Sequence, residues 1–544
     1  MAYRGNYQFG GYDARRAAEE GAIRDMENMS LRAFPAAAPR KKRRYFRVGY
    51  TDIGGAYFGE RDYIVSGGVF YDGGRAMFEV DAGTKQMAAL GDLLYIFPDK
   101  IVYDTKSQTY EDLNAAEIEY TAIPGTSGEY EGFSGFRLYN NGGAKNKVRL
   151  QGSGDEIRFV VDDIIEITAA GGPYILSVLA REEVQEDGES YVYLTFADNA
   201  LSALWGDIAS SVASIAASAK LRYAIPDMDF VFASDNRLWG AKGREIYASR
   251  LGDGKTWQDY DTLATSSWAA TTATGDTITA ALDFSGTPVF FCENAIYKIY
   301  GENPKEYEYA RSSAIGVMAG EHRSAAVGGG YVFYLSRRGV CAYTGGIPQV
   351  ISDPLGEAHL SGGVGGTDGV EYYLSVPEAG RHSLFVWDTR HNLWVREDGT
   401  RAEYIGMRGK NLCCIDASGA MFTLGDAWDT GGAEENGFAW YMESGDYNDG
   451  SVDTKIAKNL IVQYELPAGK AEVLVSFDRE EWVWVGDLFQ TYGQRMTTII
   501  ALDARRYRTM RVAVRGEGDI IIYYLVRDAA AGSVRAGGEN NVYL

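Results

Sequence analysis

The stretch from Asp229 to Tyr260 constrains the fold of this chain most. It runs Asp-Phe-Val-Phe-Ala-Ser, turns at Asp235-Asn236, and continues Arg-Leu-Trp-Gly. It turns again at Lys242-Gly243, runs Glu-Ile-Tyr-Ala-Ser, and turns at Gly252-Asp253-Gly254 before Trp257 and Tyr260. Short apolar runs separated by turn residues predict consecutive antiparallel strands. Each strand is too short to bury a face alone, so the unit must stack on copies of itself. Related units occur at Leu93–Leu113, Val289–Tyr300, Tyr331–Tyr343, Tyr372–Val395 and Leu412–Leu424. Spacings of about 40–50 residues match propeller blades, and the pattern predicts about six blades with seven left open.

Composition agrees with an all-β class. The 544 residues include 38 Tyr and 66 Gly but only 12 Pro, which favours strands joined by tight turns. The formal charge is −22. A protein that grips nucleic acid needs a positive surface, so tight DNA wrapping is excluded, whereas a conduit that DNA passes without sticking is not. Cys292, Cys341, Cys413 and Cys414 have no metal-type spacing and are expected to be buried, reduced thiols. The N-terminal residues lack an apolar secretion segment, and no run of 18 apolar residues predicts a membrane span.

The pattern divides the chain into seven segments. Residues 1–45 read as an arm, 46–116 as the first part of the propeller, and 117–197 as an inserted small β-barrel or sandwich. Residues 198–222 read as a helix and connector, 223–440 as the rest of the propeller, 441–530 as a C-terminal β-sandwich and 531–544 as a tail. Leu201, Leu204, Trp205, Ile208, Val212 and Ile215 fall at helical spacing, which predicts one amphipathic helix of about 15 residues. The arm ends in the basic run Arg40, Lys41, Lys42, Arg43 and Arg44. This run reads either as a solvated charge cluster or as a tether to a neighbouring subunit or DNA. Together with Leu204, Trp205 and Ile208 it forms the candidate subunit contact.

Chemistry is sparse in the sequence. His322, His359, His382 and His391 stand apart from one another and from the cysteines, so no metal is expected. The glycine-rich stretches lack the lysine and hydroxyl of a phosphate loop. Asp446, Asn448, Asp449 and Asp453 are an oxygen-rich cluster without the spacing of a calcium loop. Ser249–Trp257 and Ser476–Trp482 resemble the Asp-box hairpin of sialidase-type propellers, a structural element. No catalytic residue, cofactor or metal is expected, and the chain is expected not to be an enzyme.

Motif order adds a resemblance. The segment Gly21-Ala-Ile-Arg-Asp-Met-Glu-Asn-Met-Ser30, followed by Phe34-Pro35 and Ala38-Pro39-Arg40, resembles the opening of phage head-to-tail proteins. Asn236, Arg237, Leu238 and Trp239, with Ser249, Gly252, Asp253 and Trp257, are similar to the central signature of that family. Gly316-Val317, Leu335-Ser336, Gly339-Val340 and Ile351-Ser352 continue the match. The family is the podovirus-type tail nozzle, also called tail tubular protein B or packaged-DNA stabilization protein. The match covers residues 20–45 and 225–355, and the C-terminal sandwich loosely. It implies a virion protein, made in the host cytoplasm, that forms a ring, typically a hexamer, below the portal and adaptor. Duplex DNA would pass its lumen without sequence-specific binding, and no membrane would be involved. The alternative is a carbohydrate-binding or glycoside-cleaving propeller protein of a phage tail.

Overall fold

A computed structural model describes residues 2–15, 21–47, 49–114, 118–120, 136–139, 143–154, 157–169, 172–205, 212–213, 219–260, 263–356, 359–378, 380–428, 431–449, 453–503 and 505–531. Tight turns set its grain. Phe230–Ser234 and Arg237–Lys242 pair with Ser234 opposite Arg237, so Asp235-Asn236 makes the whole turn. Both turn residues have positive φ, 48° and 56°, which the twist of a two-residue hairpin demands and which Asp and Asn tolerate.

Repetition of this unit yields seven antiparallel sheets among the described residues. The first starts with Ile53–Phe58, the second with Gln86–Leu90, the third with Phe230–Ser234 and the fourth with Ile278–Phe284. The fifth starts with Ala326–Gly328, the sixth with Val364–Thr367 and the seventh with Ala402–Arg408. These first strands touch in succession, and Ala402–Arg408 of the seventh sheet meets Ile53–Phe58 of the first. Between the fourth and fifth sheets the 3-10 turn His322–Ser324 touches Ile278–Phe284 of the one and Tyr331–Ser336 of the other. The arrangement is all-β and propeller-like.

Stacking explains why the strands read as continuous apolar runs. In the strand Thr287–Cys292, Phe290 and Cys292 join Trp239 and Ile246 in a core between the third and fourth sheets. Val289 and Phe291 point the other way, into a core with Val332, Tyr334 and Tyr343 of the fifth. A strand buried on both faces loses the apolar–polar alternation of a half-exposed one. All four cysteines are buried thiols, and burial pushes Cys292 up to about 12.

Four sequence expectations need correction. The arm is built into the chain. Arg44–Arg47 pairs with Met421–Leu424 and supplies the strand that completes the seventh sheet. Ala2–Asn6 and Ile23–Glu27 join the C-terminal sheet, and Phe9, Tyr12, Met26 and Met29 are core residues. The insertion runs further than residue 197, because Ala219–Tyr223 pairs with Ile164–Ala169 inside it. Two sheets, of four and five strands, form this insertion around Leu138, Val148, Ile165, Ile167, Leu194 and Leu221. The helix covers only Ser202–Trp205, and Val212 lies in a short strand beside Tyr139. Residues 206–211, with Ile208, and Ile215 lie outside the described residues.

At the C-terminal end, runs expected to be separate strands merge. Lys455–Phe477 and Met510–Ala531 pair along almost their whole length, with register shifts around Gln463–Ala468. They form the spine of one eight-stranded sheet. Of the expected tail, Ala531 ends this strand and 532–544 lie outside the described residues. No helix among the described residues is long and apolar enough to cross a membrane.

Candidate functional site

Two cavities bear on function. The first is lined by first strands of six of the seven sheets and by the 3-10 turn His322–Ser324. Gly55, Gln86, Phe230, Ala280, Arg323, Gly365 and Tyr404 line it, and its volume is about 270 Å³. The strand Val364–Thr367 approaches the 3-10 turn so closely that a Cβ on Gly365 would lie 2.3 Å from the Ser324 carbonyl oxygen. Glu403 is its lining carboxylate among the described residues, and Arg323 pairs with it at 3.4 Å. His322 sits edge-on to Phe230, and burial, then the neighbouring Arg323 charge, hold its imidazole below the usual range. A single, ion-paired carboxylate does not make the two-carboxyl arrangement that glycoside cleavage uses.

The second cavity, about 480 Å³, opens between the sixth and seventh sheets beneath the segment 30–43. Glu371 begins the strand Glu371–Glu378 directly opposite Asp388. Tyr373, two residues on and therefore on the same face, donates its hydroxyl to Glu371 Oε2 at 2.8 Å. Arg390 bridges Asp388 Oδ2 at 2.5 Å and Glu371 Oε1 at 3.4 Å. Burial pushes Glu371 up to about 7, against the Tyr373 hydrogen bond and with help from the charges of Asp368, Glu397 and Asp388. A carboxyl that changes charge near neutrality can give or take a proton under physiological conditions. Trp428, 71% exposed, stands at the rim.

The basic run borders this cavity, and its fate differs from the expectation of a tether. Arg40 and Arg43 are buried. Arg40 forks onto Glu435 at 2.7 and 2.9 Å, donates to Asn28 at 2.7 Å and covers the Phe438 ring. Arg43 donates to Glu397 at 2.9 Å and pairs with Asp398 at 2.8 Å. Burial raises Glu397, and Arg43 offsets part of that rise; burial also pushes Asp398 up, but Arg43, the two Thr400 hydrogen bonds and Arg40 together outweigh it and hold Asp398 below its ordinary value. Lys41 pairs with Asp426 at 2.5 Å, Lys42 is exposed, and Arg44 is half-buried with its backbone N–H on Thr423. Arg40 and Arg43 are therefore not available to a neighbouring subunit or to DNA. Leu204 packs half-buried against the core of the insertion, and the Trp205 side chain lies outside the described residues.

The family-like motif is scaffold for the third sheet. Arg237 is buried and donates to the carbonyls of Ser249, Ala264 and Ser266 at 2.6–2.7 Å. The Leu238 N–H donates to Ser249 Oγ, and the Gly252 N–H to the Asn236 carbonyl. Asp253 accepts from the Lys255 N–H and the Thr256 hydroxyl, which shapes the turn that buries Trp257. Trp239 fills the core toward the fourth sheet. In the acidic cluster, Asp446 pairs with Arg479 and Asp449 with Arg527. No group of three His, Cys, Asp or Glu suited to a metal occurs among the described residues.

The sequence did not flag the Glu371 cavity, because its walls come from segments near residues 30–43, 368–397 and 425–428. The one available signal was the cationic run itself. Such a run within a chain of net charge −22 invites buried carboxylate partners.

No protein family matches this chain, and no curated protein matches it. Several solved structures are similar to it. An exo-β-1,3-galactanase from Phanerochaete chrysosporium with galactose is 10% identical, over 54% of this chain and 95% of that one, at a TM-score of 0.21. Kluyveromyces lactis Hsv2 is 10% identical over 64% and 98%, at 0.27. A glycoside hydrolase family 43 arabinoxylan arabinofuranohydrolase from Bacillus subtilis, in complex with cellotetraose, is 9% identical over 82% and 95%, at 0.17. Likenesses this distant assign neither substrate nor residue roles. They do correct one expectation. Glycoside hydrolases stand among the structures this chain matches, so the expectation that it is not an enzyme is withdrawn.

Proposed function

We propose that this chain is the subunit of a phage tail nozzle. In this reading its seven sheets are the blades of one closed β-propeller, and further copies join it in a ring in the virion tail. The observation that carries the reading is an apolar surface on the C-terminal sheet. Val483–Leu488 and Met496–Ala501 both pair with the spine strand Lys455–Phe477, and Trp484 and Ile499 on these strands, with Phe489 and Tyr492 on the connection between them, are exposed. Phe489 is 69% exposed and Tyr492 83%. Large apolar side chains left exposed along one stretch of a sheet mark a surface that another protein covers. A second copy of this chain suits it best. From Val483 to Ala501 the charged residues are Asp487 and Arg495, which cancel. A chain of net charge −22 can meet its own kind there without adding like-charge contacts to the screened repulsion between the two subunits.

The motif order from Gly21 to Arg40 and from Asn236 to Trp257 supports the phage assignment. The central cavity of about 270 Å³ has room for roughly nine waters. Duplex DNA, whose major groove alone is about 12 Å wide, would run between copies and not through one. The acidic subunits would let it pass with little adhesion, while the portal and adaptor would hold the ring in place.

The purified chain should form rings in solution, read by light scattering and by electron microscopy of single particles. Trp484→Asp combined with Ile499→Asp should leave monomers with an unchanged circular dichroism spectrum. A wild-type chain that stays monomeric at its highest soluble concentration overturns the reading.

A further inference from the structure

We propose that the cavity between the sixth and seventh sheets binds a neutral saccharide, stacked on Trp428 and hydrogen-bonded by Glu371, Arg390 and Arg43. Three observations on its walls point to this class of ligand. The first is charge balance. Each lining arginine or lysine already faces a carboxylate: Arg390 faces Asp388 and Glu371, Lys41 faces Asp426, Arg43 faces Glu397 and Asp398, Arg40 faces Glu435, and Arg32 faces Asp519. An anion such as phosphate finds no uncompensated positive charge there. What the paired groups still offer is a wall of planar donors and acceptors, and the hydroxyls of a sugar match it without adding charge.

The second is a donor kept in waiting. Arg43 lines the cavity with its side chain 6% exposed, yet its Nε–H is buried with no hydrogen-bond partner. A buried unmet donor is costly, and a ligand hydroxyl would satisfy it once the Arg43 side chain shifts to bring that nitrogen to the cavity wall. The third is Trp428, whose exposed indole stands at the rim of a polar cavity, the place for an apolar platform under a ring of C–H groups. A lipid would need a mostly apolar lining, and Glu371, Glu397, Arg390 and Arg43 deny it one. The inference does not depend on ring assembly, since every group comes from one chain.

The full chain is titrated with short neutral oligosaccharides of glucose, galactose and N-acetylglucosamine, and binding is read by calorimetry and tryptophan fluorescence. At least one should bind with a Kd of about 0.1–1 mM. Trp428→Ala, an exposed change that leaves the core intact, should weaken that binding roughly tenfold or more, and Glu371→Ala should weaken it too. Trp484→Ala, far away on the C-terminal sheet, should leave it unchanged. The proposal is overturned if none of the sugars binds, if Trp428→Ala binds as well as wild type, or if inorganic phosphate competes for the same site.

Discussion

Replacing Glu371 by glutamine isolates the cost of holding an ionisable group in the wall of the second cavity. Burial raises this carboxyl from 4.5 to about 7. Its side chain is 20% exposed, so solvent screens the effect only in part. The folded chain therefore holds a proton that the unfolded chain releases at lower pH. Between 4.5 and about 7 the folded state binds more protons than the unfolded one, so stability falls as pH rises through that window and is level above it. At 1.36 kcal/mol per pH unit the displacement is worth at most about 3 kcal/mol. Glutamine keeps the shape and the acceptor for the Tyr373 hydroxyl but never ionises. Urea unfolding followed by intrinsic fluorescence should show wild type and Glu371→Gln nearly equal at about pH 5, and the variant more stable by up to about 3 kcal/mol at about pH 8. A wild-type-to-variant difference that is the same at both pH values would refute the reasoning.

Two further outcomes test the sheets around the site. Arg43→Leu strands Glu397 and Asp398 in a dry setting and should cost about 3–5 kcal/mol by urea midpoint, most of it recovered when Glu397→Leu is added; a single variant as stable as wild type would show that Arg43 is not part of the seventh sheet's support. Trp257→Ala should cost about 3–5 kcal/mol and Asp253→Ala about 1–2 kcal/mol, with the proposed ring formation intact in whatever fraction still folds, because Trp257 is buried inside the chain and Asp253 shapes a turn of the third sheet; loss of assembly without loss of stability would contradict that.

Much of the strand pattern was legible because turn pairs such as Asp235-Asn236 sit between runs that are apolar on both faces. The count of blades was less so. The seventh sheet takes its closing strand from Arg44–Arg47, far in sequence from Met421–Leu424, and no local pattern marks such a pairing. The arm was misread for a related reason. Ala2–Asn6 pairs with a strand that begins at Met510, and the Asn28 side chain donates to the Ala439 carbonyl, so its order comes from partners hundreds of residues away. The helical spacing of Leu204 and Val212 was real, but pairing with Tyr139 took Val212 into a strand. The Glu371 cavity was illegible because burial, not any motif, makes its chemistry. Glu371, Arg43 and Trp428 lie apart in the chain and meet only when two sheets stack.

The pairing of Arg44–Arg47 with Met421–Leu424 also sets an order of events during synthesis. Residues 44–47 leave the ribosome more than three hundred residues before the strand they must pair with. Until then the first six sheets can assemble one after another on a nascent chain whose basic leading segment has no carboxylate partners, since Glu397, Asp398 and Glu435 are not yet made. Completion of the seventh sheet and neutralisation of Arg40 and Arg43 then coincide. The strands that present Trp484 and Ile499 come later still. A nascent chain thus gains the surface proposed for self-association only after the seventh sheet's strands have been made, an order that would disfavour premature association between half-made copies.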